Sequence, residues 1–193
     1  MSYQAKKFDH LLGLSGLSAK LMNNHFKLYE GYVANANKLN EELKAMSANG
    51  QDNTPAYAEL KRRFGWEFNG MRLHEYYFGS MTKEKITLNQ ASEFYQLITD
   101  SFGSLEAWQK DFKATGMMRG IGWVILYYDQ QENRLFNTWV NEHDLGHLAG
   151  CQVMLNLDMF EHAFMIDGLA RDEYIDNFLQ LIDWVVVEKR LTN

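Results

Sequence analysis

From Leu14 to Phe78 apolar residues recur at three- and four-residue steps, and the run is broken once, by the polar stretch SANGQDN. Such spacing lines up side chains on one stripe of an α-helix, not on the alternating faces of a strand. The first stretch carries Leu14, Leu17, Leu21, Leu28, Ala36, Leu39 and Leu43, with Ser15 or Ser18 as a cap and Asn49-Gly50 as its end. The second carries Tyr57, Leu60, Phe64, Phe68, Met71 and Phe78. Thr54 precedes it as N-cap, and Pro55 takes the first helical position, where a missing N–H costs nothing. A short connection folds two such helices into an antiparallel hairpin.

Beyond Ser80 the pattern changes. Residues 89–102 read as an amphipathic helix stopped at Gly103, and Ser104 caps another, LEAWQKDFKATG, ending at Gly116. GWVILYY and LFNTWVN, joined by the polar turn DQQENR, have the form of a β-hairpin, and CQVMLNL is a third apolar segment of strand length. Residues 172–187 close the chain as one helix with Tyr174, Phe178, Leu181 and Val185 on its apolar face. The expected class is therefore α+β: an N-terminal antiparallel α-hairpin, residues 1–85, followed by a C-terminal α/β domain, residues 86–193, with a three-stranded antiparallel sheet.

Composition narrows the function. A formal net charge of −6 supplies no basic stripe for nucleic acid, and an anionic substrate would need local Lys or Arg groups to attract it. The single cysteine, Cys151, excludes an intrachain disulfide. With neither a signal-like start nor a run of apolar residues long enough to span a bilayer, the expectation is a cytoplasmic protein without membrane contact.

Two histidines interrupt the apolar stripes. His25 follows Leu21 by four residues, and His74 follows Met71 by three. One such histidine is usually a hydrogen-bonded core residue. Two on facing helices are costly when buried unless something satisfies both, and a shared metal ion would. The CQVMLNL segment runs directly into Asp158, with His162 four residues on. Three imidazoles and a carboxylate form a borderline nitrogen/oxygen set suited to iron or manganese.

At these residues the chain resembles the iron/manganese superoxide dismutases. Asp158-Met159-Phe160-Glu161-His162-Ala163-Phe164 is similar to the family's D-x-W-E-H-A-Y, LSAKLMNNH to the segment ending in its first metal ligand, and FNGMRLH to the segment ending in its second. FGSLEAW, GIGWVIL and IDWVVVEKRL match further stretches in the expected order. The resemblance implies one iron or manganese ion per subunit, with a slight lean to iron, bound by His25, His74, Asp158 and His162. Superoxide would be the substrate, alternately oxidised to oxygen and reduced to hydrogen peroxide. Tyr32 matches the gateway tyrosine of the substrate channel. His143 matches a position holding Gln or His beside the coordinated solvent, and Gly70 matches the alternative position of that glutamine, left small to make room. Trp123 resembles the cavity tryptophan, and Arg171 the arginine at the channel mouth. Glu161 matches a glutamate that pairs with His162 of the partner subunit, which implies a homodimer, possibly a tetramer.

The chain also departs from that pattern. His25 and Tyr32 are seven residues apart, one fewer than usual, so a regular helix should keep them on one face without a π-bulge. The histidine often found between them is replaced by Leu28 or Tyr29, and its usual tyrosine partner by Met165. Phe160, Phe78 and Phe164 stand where Trp, Trp and Tyr are common. Other readings fare worse. H-D-L-G-H at 143–147 lacks the glutamate a helical zinc hydrolase needs after its first histidine. No histidine has Glu three residues before it, as a di-iron bundle requires. A non-enzymatic, dismutase-like metal-binding dimer is the alternative that remains.

Overall fold

A computed structural model of the protein describes residues 2–192. Two long helices, α1 (Ala19–Ala48) and α2 (Pro55–Gly79), form the N-terminal hairpin. Two shorter ones follow, α3 (Glu93–Phe102) and α4 (Leu105–Gly116). Strands β1 (Gly122–Asp129), β2 (Arg134–Asn141) and β3 (Gln152–Asp158) come next, then α5 (Arg171–Gln180) and α6 (Trp184–Lys189). The sheet is antiparallel in the order β2–β1–β3. The expected α+β class, a helical hairpin followed by a three-stranded sheet, holds. Among the described residues no helix is long and apolar enough to cross a membrane.

Side-chain caps set most helix starts. Ser18, Thr54, Ser92 and Ser104 each accept an N–H from the third residue on, satisfying a donor that the first turn leaves open. Two of these starts differ from the periodic reading. Helix α1 begins at Ala19, not Leu14, because Gly13 and Gly16 bend the preceding chain with positive φ, while Leu14 and Leu17 are buried from outside the helix. Helix α3 begins at Glu93, since residues 89–92 form a turn closed by Ser92 N–H to Asn89 O.

Two faces also differ. The buried line of α1 runs Leu21, His25, Tyr29, Val33, Ala36, which leaves Leu28 on the exposed side. The closing segment is two helices. Ile182 leaves the helical path to pair with Met81, Asp183 N–H bonds Ser80 O, and the Asp183 side chain caps α6. That break rotates the phase, so Trp184 and Val187 are buried and Val185 faces out.

The architecture positions the site through register. Trp123, second in the central strand, lies opposite Val140 on one side and Asp158 on the other. The loop after β2 and the loop after β3 thus leave the sheet at the same level, next to α1 and α2.

Candidate metal centre

Each member of the His25/His74/Asp158/His162 set comes from a different local structure. His25 points inward from α1 and His74 from α2, both fully buried. Asp158 ends β3, and His162 lies in the short 3-10 turn Glu161–Ala163. Their ligand atoms all lie within 4.8 Å of one another, the one such group among the described residues. Asp158 Oδ2 is the hub, 3.1 Å from His25 Nε2, 3.2 Å from His162 Nε2 and 3.5 Å from His74 Nε2. Its other oxygen accepts the Phe160 N–H at 2.8 Å, which fixes the plane of the carboxylate.

Protonation decides what this cluster can hold. His74 Nδ1 donates to the Gly70 carbonyl one helical turn back, so its Nε2 carries a lone pair. That buried Nε2 has no hydrogen-bond partner and faces the carboxylate, lone pair against lone pair. Burial holds both His25 and His74 below the ordinary imidazole range. Burial pushes the Asp158 carboxyl up, but His162 and His25 outweigh it and leave the group well below the usual carboxylate range. The unpartnered His74 Nε2 lone pair against the ionised carboxylate makes the pocket rich in acceptors, and a cation at its centre would satisfy both. The residues fit a metal ion.

Tyr32 lies on the same face of α1 as His25. Both rings pack on His74, at 5.2 and 5.0 Å between centroids, and α1 is uninterrupted between them. His143, fully buried in the loop after β2, accepts the Trp123 indole N–H at Nδ1, 3.0 Å away. An indole N–H only donates, so the imidazole proton sits on Nε2 and is donated to Tyr32 Oη at 2.8 Å. Tyr32 keeps its own O–H proton to give elsewhere. Burial lowers His143 to about 4 and raises the Tyr32 phenol, so both are neutral at physiological pH. Phe160 stacks on both His143 and His162.

Gly70 makes this arrangement possible in a way the sequence does not reveal. The space it leaves is taken by Tyr32, not His143: a Cβ at Gly70 would lie 2.6 Å from Tyr32 Cδ1. Gly70→Ala should therefore push Tyr32 off His143 and cost about 1–3 kcal/mol of overpacking. Thermal unfolding and turnover read the two effects, and a variant that matches the wild type in both contradicts the packing.

Arg171, at the start of α5, donates to Gly120 O at 2.9 Å and lies over Trp139. Burial lowers the Arg171 guanidinium from its ordinary range, and the exposed Glu161 carboxylate partly offsets this. The H-D-L-G-H pair does not converge: His147 Nε2 bonds the His143 backbone carbonyl. Sequence reasoning missed Trp66, whose ring packs edge-on against His143 at 4.5 Å and also contacts Tyr32. It lies eight residues before His74 and four before Gly70, a helical spacing that could have found it.

The profile of the iron/manganese superoxide dismutase C-terminal domain matches residues 89–190. The chain is 33% identical over 179 residues to the iron superoxide dismutase of Pyrobaculum aerophilum, covering 91% of this chain and 84% of that protein. This chain belongs to the iron/manganese superoxide dismutases. The iron superoxide dismutase of Cupriavidus metallidurans is 36% identical over 178 residues, covering 89% of this chain and 86% of its own length. Superoxide dismutase [Mn] 2 of Haloferax volcanii is 32% identical over 162 residues, covering 83% and 79%. Relatives named for either metal thus match most of the family member described here.

Proposed function

We infer that the chain is a superoxide dismutase acting at one iron or manganese ion held by His25, His74 and His162 through Nε2 and by Asp158 through Oδ2. The observation that carries this reading is the convergence of three imidazoles on one buried carboxylate oxygen, inside a chain of this family. A bound iron or manganese ion would supply the one-electron redox chemistry that superoxide disproportionation needs. The protein supplies the surroundings. Trp123 fixes the His143 tautomer, His143 donates to Tyr32, and the Tyr32 O–H is left as a proton donor on a ring packed against His74. Arg171 is the proposed local attractor for an anion on a chain of net negative charge. Iron is the favoured metal, on His143 standing where glutamine can stand and on the iron named in several relatives.

We also propose an isologous dimer in which Glu161 reaches His162 of the partner subunit. Leu28, Met165 and Ile166 are 38, 57 and 36% exposed, an apolar surface next to Glu161 and His162 that a partner would cover. Met165 and Leu28 would meet there by apolar contact, where other members place a hydrogen bond. Glu161→Ala should shift the protein toward monomer in sedimentation velocity; an unchanged dimer removes Glu161 from the interface.

Metal analysis of the purified chain combined with a dismutation assay tests the function. Iron or manganese near one per chain, with activity, is expected. A metal-loaded but inactive protein favours the non-enzymatic alternative and overturns the assignment.

A further inference from the structure

The loop that carries His143 is tight. Asn141 and Leu145 exchange backbone hydrogen bonds across it, and Glu142 adopts φ +49, a left-handed conformation that a non-glycine residue enters only at a cost. Something must hold Glu142 there, because its backbone aims the next residue, His143, into the metal pocket. The carboxylate of Glu142 accepts the Trp66 indole N–H at 3.1 Å. Trp66 is itself braced from behind. The Arg63 guanidinium lies 3.9 Å over its ring, Arg63 pairs with the buried Glu67, and Asn35 of α1 bonds the second Glu67 oxygen. One turn further along α2, Asn69 contacts His147, whose Nε2 bonds the His143 carbonyl and whose Nδ1 meets the Tyr127 hydroxyl. Helix α2 therefore grips this loop on both sides of His143, while the same helix carries His74.

We propose that Trp66, through its indole N–H to Glu142, is a positioning residue that holds the strained backbone before His143 and so keeps the imidazole between Trp123 and Tyr32. The role of the clasp in turnover rests on the dismutase reading; its role in orienting His143 does not. Ring packing alone would give Trp66 a place in the structure without this function, and the N–H separates the two cases. Trp66→Phe keeps an aromatic ring on His143 and Tyr32 but removes the donor. Glu142→Ala removes the acceptor from the other end and leaves Trp66 in place.

The test is nitrogen NMR of the His143 imidazole in the full-length, metal-free chain, with turnover of the metal-loaded protein measured alongside. The wild type should show one tautomer, with the proton on Nε2. Trp66→Phe and Glu142→Ala should each show a mixture, because the loop no longer keeps Nδ1 against Trp123. Combining them should add little, as the two residues form one bond. Turnover should fall about tenfold in either variant at wild-type metal content. A Trp66→Phe protein that keeps the single tautomer overturns the proposal. An inactive, metal-loaded wild type would sink the dismutase reading, while the tautomer comparison would still decide the clasp.

Discussion

Asp158→Asn should leave the chain folded and almost free of metal. The side chain is fully buried, and one of its oxygens faces all three imidazoles. The amide keeps the shape and can still accept the Phe160 N–H, so the turn into His162 survives. What disappears is the one negative charge in the cluster. Three imidazoles, which bring no negative charge, would then have to hold a di- or trivalent ion in a buried site. Metal content should drop from near one per chain to near zero. Turnover should fall more than about a hundredfold, beyond the usual upper range for altering an outer hydrogen bond at a metal site. In the metal-free protein the fold favours the ionised carboxylate, so the same substitution should also lower the unfolding temperature at neutral pH, by an amount that shrinks as the pH falls and the wild-type carboxyl is protonated. Elemental analysis and calorimetry read these two results, and metal retained at the wild-type level would remove Asp158 from the ligand set.

Gly122→Ala should be the most damaging single methyl in the described structure. Gly122 begins the central strand at φ +155, where its added Cβ would lie 2.1 Å from the Val140 carbonyl oxygen and 3.1 Å from the Glu142 nitrogen. Both are backbone atoms, so no side chain can swing aside. Gly122 O also accepts the Met159 N–H, which ties down the chain leaving Asp158. Relief must therefore open the β1–β2 pairing where the His143 loop departs, or shift the loop that carries His162. A cost above about 3 kcal/mol is expected, a fall of roughly 10 °C in unfolding temperature for a chain of this size. Gly103→Ala is the control. It also has positive φ, +90, but no atom within 4 Å of its Cβ, so it should cost only about 1 kcal/mol of backbone strain. Equal effects at the two glycines would show that backbone conformation alone, and not the clash, governs Gly122.

Where the sequence was legible, local chemistry decided the outcome. Thr54-Pro55 and Ser104 mark helix starts because a cap needs only its next few residues, and both hold. His25 and His74 stand out because an imidazole on an apolar stripe demands a partner. The errors arise where distant groups intervene. Leu28 fits a three-residue step from His25, yet the four-residue step to Tyr29 is the one buried, because Tyr29 Oη accepts Lys6 N–H and bonds Glu75. The closing helix reads as continuous, and only the pairing of Ile182 with Met81 breaks it. Tyr32 filling the space above Gly70 follows from the packing of α1 on α2, and Trp66 reaching Glu142 across 76 residues from the approach of α2 to the loop after β2. Periodicity within one segment carries no information about such contacts.

On the proposed function, four side chains from separate elements hold one redox ion. Anomalous diffraction from metal-loaded crystals, recorded at the iron and manganese edges, tests it most directly. A single strong peak per subunit is expected, at one of those edges, within bonding distance of His25 Nε2, His74 Nε2, His162 Nε2 and Asp158 Oδ2. A peak elsewhere in the chain, or none in a protein that disproportionates superoxide, would contradict it.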